Sequence, residues 1–205
     1  MDTDREKWNR RFASQDSYLG NCPSPFLKSE IRQIEQLVPG NKALDIACGE
    51  ARNSLFLAER GFQVTALDIS DIGLAKGKQR ADELGLEIDF RQVDLQGFVL
   101  EGQYDLVLNF NFLMRKLIPS EVAVLAPNGI LLFDTILESP TLLQSHNPDY
   151  LLKHGELKQL FAEYEGEILF FEETDAGEMP TARLMFRKAN HNGFDLSNRY
   201  RPQVE

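Results

Sequence analysis

The sequence predicts an α/β domain whose sheet is mainly parallel and covered by helices on both faces. Three features point to it. Apolar and β-branched runs at residues 42–47, 64–68, 86–93, 104–110 and 129–136 alternate with stretches of helical pattern, which is the signature of βαβ units. Within those runs Ala43, Leu44 and Ile46, like Leu106, Val107 and Leu108, form near-continuous apolar segments, as strands buried on both faces require. The intervening stretches stop at glycines: 53–60 at Gly61, and 71–84, which begins after Ser70 as its N-cap, at Gly85.

The elements outside this alternation follow from spacing. Leu27, Ile31, Ile34 and Leu37 mark one apolar helix face that stops at Pro39-Gly40, so a helix precedes the first strand. Residues 4–15 carry Trp8 and Phe12 four apart among Arg5, Lys7, Arg10 and Arg11, a narrow stripe that suits a cap. Residues 1–39 are therefore expected to form an N-terminal helical cap on one domain spanning 1–205. Beyond the fifth strand, 166–173 and 181–188 are joined by only seven residues, too few for a parallel crossover, so this pair is expected to be antiparallel. Ala182, Leu184 and Phe186 alternate there with Arg183, Met185 and Arg187, which predicts a strand near the sheet edge with one wetter face. A helix over 156–164 precedes the hairpin. The tail 189–205 is polar and unpatterned, and loose order is expected of it.

Composition bounds the function. At 205 residues with 42% hydrophobic content, one core can form without staples. The two cysteines, Cys22 and Cys48, lack zinc spacing, so neither metal nor disulfide is expected, and free thiols fit a reducing, cytoplasmic setting. No apolar stretch approaches the ~20 residues of a membrane span. The first seven residues mix acids with bases, which argues against a secretory leader and for no membrane partner. A formal charge of −10 repels polyanions, so nucleic acid is not an expected partner.

The chemistry concentrates at residues 43–54, where a buried strand runs into a helix through the small residues Ala47, Gly49 and Ala51. Ligands of open α/β sheets bind at such carboxyl ends, and small residues let the backbone approach them. Asp68 ends the second strand about 20 residues after Gly49, where doubly wound nucleotide sites place the acid that bonds ribose hydroxyls. Helix capping is the other use of such an Asp, but Ser70 already serves it. Asp94, at the end of the third strand, can accept from an adenine amino group or stand as a solvated strand end. A dinucleotide frame G-x-G-x-x-G reads here Ala47-Cys48-Gly49-Glu50-Ala51-Arg52, which lacks two of its glycines and sets Glu50 beside the phosphate. This counts against a nicotinamide-dependent reductase of the same architecture, and no P-loop is present, so the expected ligand is a nucleoside without phosphates.

The stretch ALDIACGEARNSLFLAERGFQVTALDIS, residues 43–70, resembles the first motif and following acidic motif of class I S-adenosylmethionine-dependent methyltransferases. Within them the chain is similar to the small bacterial group around the tellurite-resistance and thiopurine methyltransferases. The likeness runs from Trp8-Asn9-Arg10-Arg11-Phe12 through Tyr18, Gly20 and Pro23-Ser24-Pro25-Phe26-Leu27 to Asp94, Tyr104-Asp105, Leu125-Ala126-Pro127-Asn128-Gly129 and the final hairpin. It implies a Rossmann-like doubly wound seven-stranded sheet of order 3-2-1-4-5-7-6, S-adenosylmethionine as cofactor, and methyl transfer to a small-molecule acceptor, with S, Se, Te, N and O acceptors open. By the same resemblance Asp45 would orient the loop and the cofactor's amino group, with Ala47, Gly49 and Ala51 lining the methionine part and Asn53 among the cofactor contacts. Asp68 would hold the ribose, Ile69 would flank the adenine, Asp94 with Leu95 would meet its edge and face, and Asn109 would face the reacting sulfur. The family more usually has glycine at 47, 51 and 128, and the methyls at 47 and 51 narrow the pocket. The alternative this leaves is a non-catalytic S-adenosylmethionine or S-adenosylhomocysteine-binding protein.

Methyl transfer from a sulfonium needs no obligatory general base when the acceptor is a thiolate or another soft anion, so no catalytic residue is assigned. Alignment supplies most of the rate. Acceptor specificity is expected from the lid: Trp8, Arg11, Tyr18 and Phe26 before the first strand, and Asn111, Phe112 and Arg115 after the fourth, with Arg115 either binding an anionic acceptor or riding a solvated helix face. His146, His154 and His191 read as surface residues, and Cys48 as a small packing residue. Lys76, Lys78 and Arg80 beside Asp82 and Glu83 read as a solvated helix face that needs no partner.

Overall fold

A computed structural model of the chain describes residues 3–175 and 179–190. Two helices lead in, α1 (Asp4–Ala13) and α2 (Pro25–Leu37). The chain then runs through β1 (Lys42–Ile46), α3 (Arg52–Glu59), β2 (Gln63–Asp68), α4 (Asp71–Leu84) and β3 (Ile88–Gln92). A helix-free connection leads to β4 (Tyr104–Phe110), followed by α5 (Ile118–Ala123), β5 (Leu125–Ile136), the short α6 (Leu142–Ser145), α7 (Glu156–Ala162), β6 (Gly166–Thr174) and β7 (Thr181–Lys188). The seven strands form one sheet of order β3-β2-β1-β4-β5-β7-β6. β7 runs antiparallel to both β5 and β6, while β1 to β5 pair in parallel.

The continuous apolar runs have the expected cause, since each central strand feeds two cores. Leu106 and Leu108 pack with Leu27, Ile31 and Ile34 of α2 and Leu57 of α3. Val107 points the other way, to Ile118 and Val122 of α5 and Leu157 and Phe161 of α7. A helix on each face and a period of two along each strand require apolar residues at every position. α2 is set for its role by Pro25 in its first turn, where no donor is lost, and by the Leu27, Ile31, Ile34 stripe.

Several boundaries differ from the sequence expectation. β3 is confined to 88–92 and lies at the sheet edge with Asp89 and Arg91 exposed, so its polar positions face water. β5 begins at Leu125 and continues through a bend at Asn128, whose φ of 62° is left-handed, so the Pro127-Asn128-Gly129 segment belongs inside the strand. The wetter outer strand is β6, whereas β7 is enclosed between β5 and β6. Met185 is fully buried there, and Arg183 and Arg187 are half-buried because they pair with Asp134 and Glu172 and with Glu167. The expectation of loose order falls mostly on residues 191–205, which lie outside the described residues together with His191.

One polar pair is enclosed in this core. Asn109 of β4 donates from Nδ2 to Glu121 Oε1 of α5 at 2.8 Å, and both residues have no exposed surface. Among the described residues Asn109 Oδ1 and Glu121 Oε2 find no hydrogen-bond partner, and burial pushes the Glu121 carboxyl up to about 8. Asp45 and Asp134 are displaced in the same direction by burial, to about 7 and about 6. Each of the three keeps its proton to a higher pH in the folded state than in the unfolded chain, which releases it near pH 4, so their contribution to stability is fully present below that range and is lost as the pH rises through 6 to 8. Each unit of displacement is worth roughly 1.4 kcal/mol. The melting temperature should therefore fall between pH 5 and pH 8.5, and Glu121→Gln should remove much of that fall. A wild-type melting temperature that rises across the window would contradict the assignment of buried neutral carboxyls.

Candidate functional site

The carboxyl edge of the sheet gathers the polar strand ends. β1 sits at the switch point, with β2 on one side and β4 on the other, so the turn after β1 opens into the crevice where open α/β sheets hold ligands. That turn is built from alternating left-handed residues, Ala47 at φ 53°, Gly49 at 58° and Ala51 at 62°. Gly takes this conformation freely, but an alanine gives up about 1–2 kcal/mol there, and such strain concentrates at functional sites. The turn is fastened by Cys48 N–H to Leu67 O and Ala51 N–H to Cys48 O, each at 2.9 Å, and Leu55 N–H then starts α3 by donating to Ala51 O.

Asp68 joins this turn to the next one. Its Oδ2 accepts from Gly49 N–H and its Oδ1 from Ser70 N–H, both at 2.8 Å, with the residue 6% exposed. Ser70 then caps α4 by accepting from Gly73 N–H at 3.0 Å. Burial raises the Asp68 carboxyl while the backbone amides of Ser70, Gly49 and Ile69 lower it, and the net direction is upward. Each carboxylate oxygen retains a further lone pair, so two hydroxyl donors can still be accepted. Beneath the turn Asp45, only 2% exposed, accepts from Ser54 Oγ at 2.6 Å and so orients the start of α3. Cys48 lies among these acids, and burial pushes its thiol well up, which suits packing rather than nucleophilic work.

The other sequence-derived residues divide into those at this edge and those drawn elsewhere. Ile69 is half-buried, Leu95 is buried, and Asp94 is exposed two residues beyond β3, accepting from Gln96 N–H at 2.9 Å. Asn111 follows β4 with a left-handed φ of 56° and donates its N–H to Asp134 O at 2.7 Å, beside the half-buried Phe112. Asn109 departs from the expectation: its side chain is committed to Glu121 in the core. Asn53 Oδ1 accepts from Ser24 N–H at 2.8 Å, tying α3 to the start of α2 where a cofactor contact was expected. Phe26 is core, packed on Phe110 and Phe170 with the Arg183 guanidinium over its ring. Arg115 is a structural clamp, bonding both Glu156 oxygens and the carbonyls of Asp149 and Leu151 at 2.5–2.9 Å, so four of its five N–H donors go to α7 and the segment before it.

Trp8, Arg11 and Tyr18 do come together above the turn. Phe12 lies against it: a Cβ built on Gly49 would stand 3.1 Å from Phe12 Cζ, and one on Gly73 3.0 Å from Phe12 Cδ2. Trp8 stacks on Phe12 at 5.7 Å, Tyr18 meets Phe12 edge-on at 6.0 Å, and Arg11 lies over Trp8 at 4.9 Å. Small residues at 49 and 73 thus seat an aromatic ring as well as freeing the backbone. The sequence reading gave no role to Asp134, Arg183, Glu121, Glu50 and Lys76. Asp134 was recoverable, because it closes an apolar run at a strand end as Asp68 does, whereas nothing in the spacing of Lys76 shows which way its side chain turns.

Among the described residues no cluster of His, Cys, Asp and Glu could hold a metal ion, and no helix is long and apolar enough to cross a membrane. A cavity of about 930 Å³ opens at the opposite edge of the sheet, lined by Gln63, Thr65, Lys78, Ile88 and Phe90, away from the strand ends described above.

The family model described as tellurite resistance protein TehB matches residues 15–181. A ubiquinone biosynthesis O-methyltransferase from Azotobacter vinelandii is 33% identical over 123 residues, covering 56% of this chain and 53% of that protein. The chain spans about half the length of the curated relatives it matches. In fold it is similar to TehB from Haemophilus influenzae, with a TM-score of 0.65 at 21% identity over 78% of this chain and 62% of that one. It is also similar to the N-methyltransferase NodS from Bradyrhizobium japonicum crystallised with S-adenosyl-L-homocysteine, with a TM-score of 0.71 at 19% identity over 91% and 99%.

Two substitutions test the geometry of the turn. Asp68→Ala leaves two buried amides without an acceptor and should cost about 2–3 kcal/mol in chemical denaturation. Ala47→Gly relieves a left-handed alanine and should add about 1 kcal/mol. A destabilised Ala47→Gly would show that its methyl group packs usefully and that the strain is absent.

Proposed function

The chain belongs to the tellurite resistance protein TehB family, and from that membership we propose that it transfers a methyl group from S-adenosylmethionine to a small-molecule acceptor, a thiol or chalcogen anion. The observation that carries the reading is Asp68. A single buried carboxylate ties the turns after β1 and β2 together and keeps lone pairs for two vicinal hydroxyls, at the switch point of a sheet whose turn lacks a phosphate-binding glycine frame.

The residues present fit that cofactor. Asp68 accepts the ribose hydroxyls, Ile69 and Leu95 supply apolar surface for the adenine, and Asp94 accepts from its amino group. Ala47, Gly49 and Ala51 offer small side chains beside the methionine part, with Asp45 holding the turn in place from below. When bound, the cofactor supplies an activated methyl group on a sulfonium, whose departure as a neutral thioether makes the displacement easy. What the protein adds is alignment and exclusion of water, and alignment of this kind reaches effective molarities of roughly 10⁵–10⁸ M. Trp8, Phe12 and Tyr18 provide the water-excluding roof.

An acceptor that arrives as its own anion suits this site. His146 pairs with Ser145 Oγ and His154 with Glu173, both exposed and on the segment beyond β5, so neither serves as a base at the turn. Oxygen and nitrogen acceptors appear in the names of similar proteins, and the assay must include them.

Thermal unfolding with S-adenosylmethionine, S-adenosylhomocysteine and NAD(H) in parallel tests the cofactor. At ~100 times Kd a ligand adds ~2.7 kcal/mol, about 5–11 °C for a chain of this size, and the rise is expected with the two sulfur nucleosides alone. Methyl turnover on thiols and chalcogen oxyanions then separates an enzyme from a binder. A shift with NAD(H) and none with the sulfur nucleosides would overturn the reading.

A further inference from the structure

The N-terminal segment is fastened to the site by an ion pair that the sequence pattern conceals. Lys76 lies on α4 among charged neighbours, yet its Nζ turns inward and donates to the carbonyls of Phe12 and Gln15, both at 2.5 Å, to Asp16 O at 3.3 Å and to Glu50 Oε1 at 3.0 Å. It thereby satisfies carbonyls at the end of α1 and just beyond it, where a helix has lost its own donors and favours a cation. Glu50, 7% exposed, completes the arrangement: its Oε2 accepts from Tyr18 N–H at 2.7 Å and from Ser17 Oγ at 3.2 Å. One carboxylate and one ammonium therefore hold residues 12–18 down from both ends.

We propose that Glu50 and Lys76 are positioning residues that latch the N-terminal segment as a lid over the cofactor turn. Glu50 stands within that turn. Its neighbour Gly49 donates to Asp68, the acid assigned to the ribose, so consecutive residues carry the lid contact and the cofactor contact. Release of the latch frees Tyr18 and loosens the seat of Phe12 against Gly49 and Gly73, and the same movement opens the path to the turn. The rest of α1 has independent anchors: Asn9 Nδ2 donates to Asp71 Oδ1 at 2.8 Å, and Ser70 Oγ donates to Asn9 Oδ1 at 2.6 Å. Loss of the latch should therefore loosen residues 12–18 while residues 4–10 stay docked.

This inference rests on the methyltransferase reading for its ligand but not for its first measurement. Amide hydrogen exchange on the full chain without ligand, comparing wild type, Lys76→Met and the double variant Glu50→Gln with Lys76→Met, reads the latch directly. The Tyr18 amide and its neighbours should exchange at least tenfold faster in both variants, with amides of the central strands unchanged. The double variant removes both charges, so its folding does not depend on tolerating a buried unpaired carboxylate. Equal exchange at Tyr18 would overturn the latch. With S-adenosylhomocysteine as probe, dissociation measured by stopped flow should quicken at least tenfold in Lys76→Met, and an unchanged rate alongside faster exchange would overturn its role as a lid. If wild type fails to bind S-adenosylhomocysteine, the cofactor reading falls while the exchange result still decides the latch.

Discussion

Everything at the carboxyl edge depends on how one buried carboxylate is satisfied. Asp68 could not stay 6% exposed without donors, and the donors it finds are the amides of Gly49 and Ser70. Gly49 can aim its N–H there because the chain around it adopts left-handed backbone at 47, 49 and 51. Ser70 reaches it because β2 ends at Asp68 and α4 starts just after, with the Ser70 hydroxyl capping the helix. The turns after two neighbouring strands thus share an acceptor, and a shift in either one disturbs both.

The lid follows from the same constraint. A turn made of small residues leaves a shallow surface that Phe12 fills, and Phe12 in turn organises Trp8 and Tyr18. An aromatic cluster on a ten-residue helix would not hold by itself, since short helices are marginal without tertiary contacts. Polar anchors at Asn9 and at the Lys76–Glu50 pair supply the remainder. Those anchors reach the turn before α3 and the first two turns of α4, and both helices begin at the site.

The fold was readable from the sequence where one physical demand acted on many residues. Burial of β1 and β4 on both faces forced continuous apolar runs, and the seven-residue connection forced an antiparallel hairpin. Small residues in the turn and acids at strand ends were visible for the same reason, because their positions are dictated by backbone geometry. What stayed hidden was the direction of individual side chains. Asn109 and Phe26 sit at plausible site positions but turn into the core, towards Glu121 and towards Phe110 and Phe170. Arg115 and Lys76 share the look of surface cations, and only the fold brings four acceptors to each.

The most direct measurement of the central claim is calorimetric titration of S-adenosylhomocysteine into wild type and Asp68→Asn. Asparagine keeps a carbonyl for one amide of the two turns but removes the charge and half the acceptors offered to the ribose. The account requires saturable binding to wild type, and affinity weaker by at least tenfold in a variant whose circular dichroism matches it. Equal affinity in the two proteins would contradict it and move the ligand away from the edge that Asp68 organises.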